Sequence, residues 1–169
     1  MSIVDGRDVS IHGGVCMSKT VCFTGHRTIP AKYLAVLPAL TDAMLERLYN
    51  AGYRTFITGG AEGFDTLAAS RIIRYRAGHA DVRLVMALPY ERSGSAAYRK
   101  TVEAADEVIY ISRAFYTGVA LERDRYMVDR SDACVAFYLP GRGGGTYYTV
   151  RYANERSVPV VNLVRDPER

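Results

Sequence analysis

Four stretches of the chain combine glycine with charged or hydroxyl side chains in ways that suit phosphate and sugar chemistry. The first is Thr24-Gly25-His26-Arg27. Gly25 permits a sharp backbone turn, the amides after it and the Arg27 guanidinium suit an oxyanion, and His26 supplies a donor or a titrating imidazole. A plain strand-to-helix turn is the competing reading, and a binding role ranks above proton transfer. The second is Thr58-Gly59-Gly60-Ala61-Glu62-Gly63-Phe64-Asp65. Gly59, Gly60 and Gly63 let a ligand approach the main chain. The amides opening the next helix, with its dipole, form an anion site that needs no basic side chain. Asp65, in the first helical turn, either caps the helix or binds a ribose hydroxyl. Glu62 stands in the loop itself, where it either reaches a sugar or is solvated at the rim.

The third stretch is Pro140-Gly141-Arg142-Gly143-Gly144-Gly145-Thr146. Successive glycines at 143, 144 and 145 make a nest of amides, and Thr146 either caps the following helix or touches a phosphate. A tight turn alone explains fewer of these glycines. The fourth is a charged helix through Glu122-Arg123-Asp124-Arg125-Tyr126-Met127-Val128-Asp129-Arg130-Ser131-Asp132. Most such charge is solvated face. Arg123 and Met127 share one side of it, Glu122 and Tyr126 another, and Arg123 is the residue chosen to face a ligand. If the protein turns its ligand over, Arg123 and Glu62 are the catalytic candidates.

Two familiar chemistries are disfavoured. Thr58 replaces the first glycine of the dinucleotide fingerprint, and no acidic residue ends a following strand at the usual distance, which argues against NAD-dependent dehydrogenase chemistry. The third loop lacks the Gly-Lys-Ser/Thr ending of a P-loop, so ATP hydrolysis has no motif here. No metal site and no certain cofactor is assigned.

The elements that must position these residues follow from the apolar runs. Strands are expected at 20–24, 54–58, 82–88, 107–111, 133–139 and 158–163. Most are continuously apolar, which means that both sheet faces are covered, as crossover helices do to a parallel sheet. Phe64, Leu67, Ala68, Ile72 and Tyr75 recur at helical steps, as do Tyr98, Val102 and Ala105. Helical spacing also runs over 31–49 through Leu34, Leu37, Leu45 and Leu48, with a kink or restart expected at Pro38. The alternation predicts an α/β fold: a Rossmann-like, doubly wound, mostly parallel sheet flanked by helices in three layers. Gly25, Gly59, Gly60 and the 143–145 glycines all follow strands, at the ligand-facing rim of such sheets.

A chain of 169 residues with 49% hydrophobic and 24% charged residues suits one globular domain. It is expected over 19–169, after an N-terminal extension at 1–18. No run approaches the roughly 20 apolar residues of a membrane span, and the start does not read as a signal peptide, so a cytoplasmic protein without a membrane partner is expected. Cys16, Cys22 and Cys134 show no CxxC spacing and read as free, mostly buried thiols. A net charge of +4 suits a phosphate-bearing partner, but acidic and basic residues alternate without a basic block, so nucleic-acid binding gains only weak support. The 13 tyrosines offer ring surface for an interface or a stacking site, although several fall on apparent core faces.

The Thr-Gly-His-Arg loop, the Gly-Gly-Ala-Glu-Gly-Phe-Asp turn, Ala87-Leu88-Pro89 and the Arg-Tyr-Met-Val-Asp-Arg-Ser-Asp to Gly-Gly-Thr stretch together resemble the YpsA-type branch of the SLOG superfamily, from about residue 19 to 163. That superfamily includes the LOG phosphoribohydrolases, often labelled lysine decarboxylase-like, and the DNA-processing protein DprA. The resemblance implies a Rossmann-like sheet, nucleotide-derived ligands and self-association. By similarity, 59–63 matches the first glycine signature of LOG enzymes, Gly144-Gly145-Thr146 matches the end of their Pro-Gly-Gly-x-Gly-Thr-x-x-Glu signature, and Arg123 matches their catalytic arginine. Where their catalytic glutamate stands this chain has Thr149, and the next carboxylate is Glu155. A threonine cannot stabilise an oxocarbenium-like sugar as a carboxylate does, so Glu62 or Asp65 would have to substitute from the opposite loop.

Three functions follow. The first is binding of a small nucleotide-like ligand in a sensing or regulatory role. The second is hydrolysis of the N-glycosidic bond of a nucleotide or NAD-like compound. The third is DprA-like binding of single-stranded DNA. A homo-oligomer is expected, with Tyr147, Tyr148 and Tyr152 as candidate contact residues.

Overall fold

The computed structural model of the chain describes residues 17–164, so the extension expected at 1–18, with Cys16, falls almost wholly outside the described residues. Within them the elements run β1 (Lys19–Gly25), α1 (Ala31–Leu34), α2 (Leu37–Asn50), β2 (Tyr53–Thr58), α3 (Phe64–Arg76), β3 (Arg83–Leu88), α4 (Ala96–Ala104), β4 (Glu107–Tyr110), α5 (Val119–Asp129), β5 (Ala133–Phe137), α6 (Gly145–Glu155) and β6 (Val160–Asn162). The six strands form one sheet in the order β4-β3-β2-β1-β5-β6, and every pairing is parallel. From β1 the chain winds outward to β4, then returns to lay β5 on the other side of β1. Strand order therefore reverses between β1 and β5, and in open α/β sheets the crevice beyond that reversal is where ligands sit.

The continuous apolar runs have the expected cause. In β1, Val21 and Phe23 point to one sheet face, packing with Phe56, Leu84, Met86 and Phe137 against Leu45 of α2, Phe64 and Ile72 of α3, and Tyr98 of α4. Cys22 points to the other face, with Ile57, Val85, Ala87 and Cys134 under Met127 and Val128 of α5 and Ala153 of α6. Helices thus cover both faces, and truncating a fully buried ring such as Phe23 would cost about 3–5 kcal/mol. Cys22 and Cys134 are free buried thiols, paired in register across β1 and β5. No helix among the described residues is long and apolar enough to cross a membrane.

The restart expected at Pro38 is present, and β5 and β6 are shorter than expected for local reasons. The 31–49 helix is two helices: α1 stops after one turn, and α2 restarts with Pro38 in its first turn, where the missing N–H loses no intrahelical bond. β5 ends at Phe137 rather than 139, because the amides of Tyr138 and Leu139 leave the ladder for Asn162 Oδ1 and His26 Nε2. β6 pairs only over Val160–Asn162, at the sheet edge, after Pro159.

Candidate functional site

The ends of β1 and β2 interlock before they offer anything to a ligand. A Cβ on Gly25 would lie 2.4 Å from Phe64 Cδ1, and one on Gly63, at φ +84°, would lie 2.1 Å from the Arg27 carbonyl oxygen. The Phe64 amide donates to the His26 carbonyl at 3.2 Å, and the His26 amide to the Phe137 carbonyl at 3.4 Å. The Ala61 amide donates to Asp65 Oδ2 at 3.3 Å. These pairings occupy two amides that the sequence suggested for a phosphate at the start of α3, and a carboxylate sits there instead. Asp65 is thus both a local cap-like acceptor and a wall of the crevice.

That crevice, of about 410 Å³, opens above the β1/β5 reversal, between the first loop, α5 and the start of α6. Of the residues expected to meet there, Gly25, His26, Arg27, Asp65, Arg123, Gly143, Gly144, Gly145 and Thr146 line it. Gly59, Gly60, Gly63 and Glu62 do not. Gly59 lies behind Arg123 and Asp65, whose side chains fill the place of its missing Cβ. Gly60 is pressed on Leu88 of β3, and its carbonyl accepts from Arg92 Nη2 at 3.0 Å. Glu62 accepts from the Ser95 amide at 3.4 Å and the Ser95 hydroxyl at 3.3 Å, and borders a separate groove between α3 and α4. It therefore does not line the crevice.

The floor is a buried charge cluster. Arg123 Nε donates to Asp124 Oδ1 at 2.7 Å, and its Nη1 donates to the Gly59 carbonyl. Asp65 is 4% exposed, and its Oδ1 is buried without a hydrogen-bond partner among the described residues. Burial pushes the Asp65 carboxyl up to about 6, against the pull of Arg123 and with a further push from Asp124. Asp124 is also raised by burial, opposed first by Arg123. A desolvated carboxylate cluster held beside one guanidinium is destabilising unless a partner satisfies it.

The opposite wall is rich in donors. α6 begins at Gly145 after Gly144, which takes φ +95° and provides no side-chain cap. A Cβ at Gly141, Gly143 or Gly144 would meet nothing within 4 Å, so the arm stands open in front of the helix. The uncapped first-turn amides and the dipole make that helix start the anion-attracting end of the crevice. Arg27, exposed at the mouth, enters no ion pair among the described residues. His26 Nε2 accepts the Leu139 amide at 3.0 Å, which places the ring proton on Nδ1. Burial, with Arg142 nearby, holds this imidazole below its usual 6.5, so it is neutral and ties β1 to the end of β5.

Sequence reasoning missed Asp124. Thr149, buried on α6, stands beside it and donates to the Gly145 carbonyl at 2.8 Å. Met127 lines the crevice beside Arg123, as helical spacing required. The tyrosines of α6 divide: Tyr148 and Tyr152 stack on each other beneath Arg125 of α5, while Tyr147 is exposed. No group of three or more His, Cys, Asp or Glu among the described residues could hold a metal ion.

A parallel sheet with its order reversed beside a glycine-armed crevice defines a Rossmann-like α/β domain. More narrowly, the chain belongs to the YspA SLOG family, whose sequence profile matches residues 25–160. A UPF0398 protein of Halalkalibacterium halodurans is 26% identical over 118 residues, covering 64% of this chain and 62% of that protein, so the chain spans less than two thirds of this relative. Among solved structures, DNA processing protein A from Helicobacter pylori, described for its single-stranded DNA binding mode, aligns at TM-score 0.66 and 18% identity over 89% of this chain and 67% of its own. The molybdenum cofactor binding protein of Rippkaea orientalis aligns at TM-score 0.57 and 21% identity over 87% and 77%. At these identities the likeness is one of fold.

Proposed function

We propose that the crevice binds a small phosphorylated, hydroxyl-bearing ligand of nucleotide type, in a sensing or regulatory role. The observation that carries this reading is the unpartnered, buried Oδ1 of Asp65 on the crevice wall. Leaving a buried carboxylate oxygen unsatisfied costs on the order of 1–3 kcal/mol or more, and a ligand hydroxyl at that oxygen would recover it. The uncapped start of α6 and Arg27 are placed to take the anionic end of the same molecule. The two structural neighbours are described as binding single-stranded DNA and the molybdenum cofactor, which supports reading this fold's crevice as a binding site.

Calorimetric titration with nucleoside 5′-monophosphates, ADP-ribose and NAD tests the reading. One of them should bind, and Asp65→Asn and Arg27→Ala should each weaken it about tenfold or more. Binding that survives both substitutions, or no binding at all, would remove the proposal.

A second reading, hydrolysis of the ligand's N-glycosidic bond, is favoured by one arrangement: the buried Asp65 carboxyl lines the crevice together with Arg123 and Asp124, and burial pushes it up to about 6. A group poised there can exchange a proton at neutral pH. Chromatographic detection of free base from a bound nucleotide separates turnover from simple binding. Self-association of a cytoplasmic protein belongs to the same reading, with Tyr147 rather than Tyr148 or Tyr152 available for contact. Sedimentation velocity tests it.

A further inference from the structure

Next to the crevice lies a second cavity of about 320 Å³. Its walls include Tyr90 and Arg92 from the loop after β3, and Phe115 and Tyr116 from the loop before α5. Arg27 and Ala120 line both cavities, so the two are adjoining compartments with a guanidinium at their boundary.

Phe115 is 68% exposed, although its ring meets Tyr90 edge to face at 5.7 Å. Phe115 thus presents a largely open ring face at the wall of a formed cavity, together with Tyr90 and Tyr116. Two of the other wall groups are held by hydrogen bonds. Tyr116 donates its hydroxyl to Glu122 at 2.5 Å, and Arg92 lies over the Tyr98 ring at 4.6 Å while holding the Gly60 carbonyl. Three aromatic rings and two guanidinia therefore frame a space whose chemistry suits a flat, electron-rich ring: stacking on the aromatics, with cations at its edge.

We propose that this cavity is the subsite for the planar base of the ligand whose phosphate and sugar occupy the crevice, with Arg27 at the junction bound to the phosphate. This rests on the crevice reading above and adds the ring to it. A ligand of phosphate and sugar alone would use only one compartment, whereas a nucleotide uses both.

The test compares three probes by calorimetry: ribose 5-phosphate, the four nucleoside 5′-monophosphates, and the corresponding nucleosides. In the wild-type protein the preferred monophosphate should bind about tenfold or more tightly than ribose 5-phosphate. Phe115→Ala should abolish that advantage and leave ribose 5-phosphate affinity unchanged, while Phe115→Tyr should retain it. Thermal melting of Phe115→Ala should match the wild type, since the ring is mostly in solvent.

Equal binding of monophosphate and ribose 5-phosphate in the wild type would overturn the subsite, as would a Phe115→Ala effect that is the same on both probes. Failure of every probe overturns it together with the crevice reading. A nucleoside that binds in a Phe115-dependent way while no phosphorylated probe gains over it supports the ring subsite and removes the phosphate assignment. An oligothymidylate that binds more tightly than any monophosphate, with the same loss in Phe115→Ala, would assign the aromatic wall to single-stranded DNA and overturn the small-ligand proposal.

Discussion

The Gly59 carbonyl accepts a hydrogen bond from Arg123 Nη1, and a Cβ at position 59 would stand 2.4 Å from that same nitrogen. Glycine is required there by a buried cation of the protein itself. Gly59→Ala must push the guanidinium away, straining its bond to Asp124 and its approach to Asp65. Overpacking of this kind costs about 1–3 kcal/mol. Chemical denaturation should show that loss together with weakened ligand binding, and a variant with unchanged stability and affinity would mean that Arg123 is not confined as described.

Asp65 gives a pH signature. Its folded-state value of about 6 lies above the ordinary aspartate value of 3.8, so the folded protein holds an extra proton between those values. Stability therefore falls as pH rises through that window, and the full penalty, about 3 kcal/mol at most, is present above pH 6. Asp65→Asn carries no such penalty. It should be more stable than the wild type at pH 7.5, with the difference shrinking as pH drops from about 6 towards 4, even though ligand binding is weakened. Denaturation curves across that range check the sign, and a variant less stable at every pH would contradict it.

The opposite sign applies to His26. Burial lowers its folded-state value below 6.5, so its contribution to stability is present above 6.5 and is lost as pH falls below it. His26→Phe removes this dependence and leaves the Leu139 amide without its acceptor. The expected loss at pH 7.5 is about 1–3 kcal/mol, narrowing in acid as the wild type weakens. Slowed amide exchange at Leu139 in the wild type but not in the variant would identify the bond directly.

Gly143 offers a cleaner probe of the crevice. Its φ is not positive, and an added Cβ would meet nothing within 4 Å, so nothing within the described residues demands glycine there. Gly143→Ala should leave melting unchanged within about 0.5 kcal/mol, or raise it slightly by restricting the unfolded chain. Because residue 143 lines the crevice, the methyl group should still weaken ligand binding. Intact affinity would mean that the ligand does not approach this arm.

Much of the fold was legible because continuous apolar runs report a sheet covered on both faces, and β1, β2 and β5 fell close to where those runs lie. Strand order was not, since no local pattern records which strands become neighbours. In the site, Arg123 and the 143–146 arm were found from helical spacing and glycine clustering. Glu62 was misplaced because a loop carboxylate has no periodicity, and its partner Ser95 lies across a separate groove. Asp124 was overlooked because adjacent helical residues point about 100° apart, yet the long Arg123 side chain folds back to it. Gly25 was read as a turn residue and Gly63 as a place for a ligand to approach the main chain, but the groups that require them, the Phe64 ring and the Arg27 backbone, belong to the facing loop.

One residue, His26, stitches three elements: its amide holds β5, its carbonyl holds the first turn of α3, and its ring holds Leu139. Folding therefore sets the walls that these three contacts join before any ligand arrives. The entropy of shaping them is settled in advance, and the ordering that a ligand would add falls on the glycine arm, where a Cβ at Gly141, Gly143 or Gly144 would meet nothing within 4 Å.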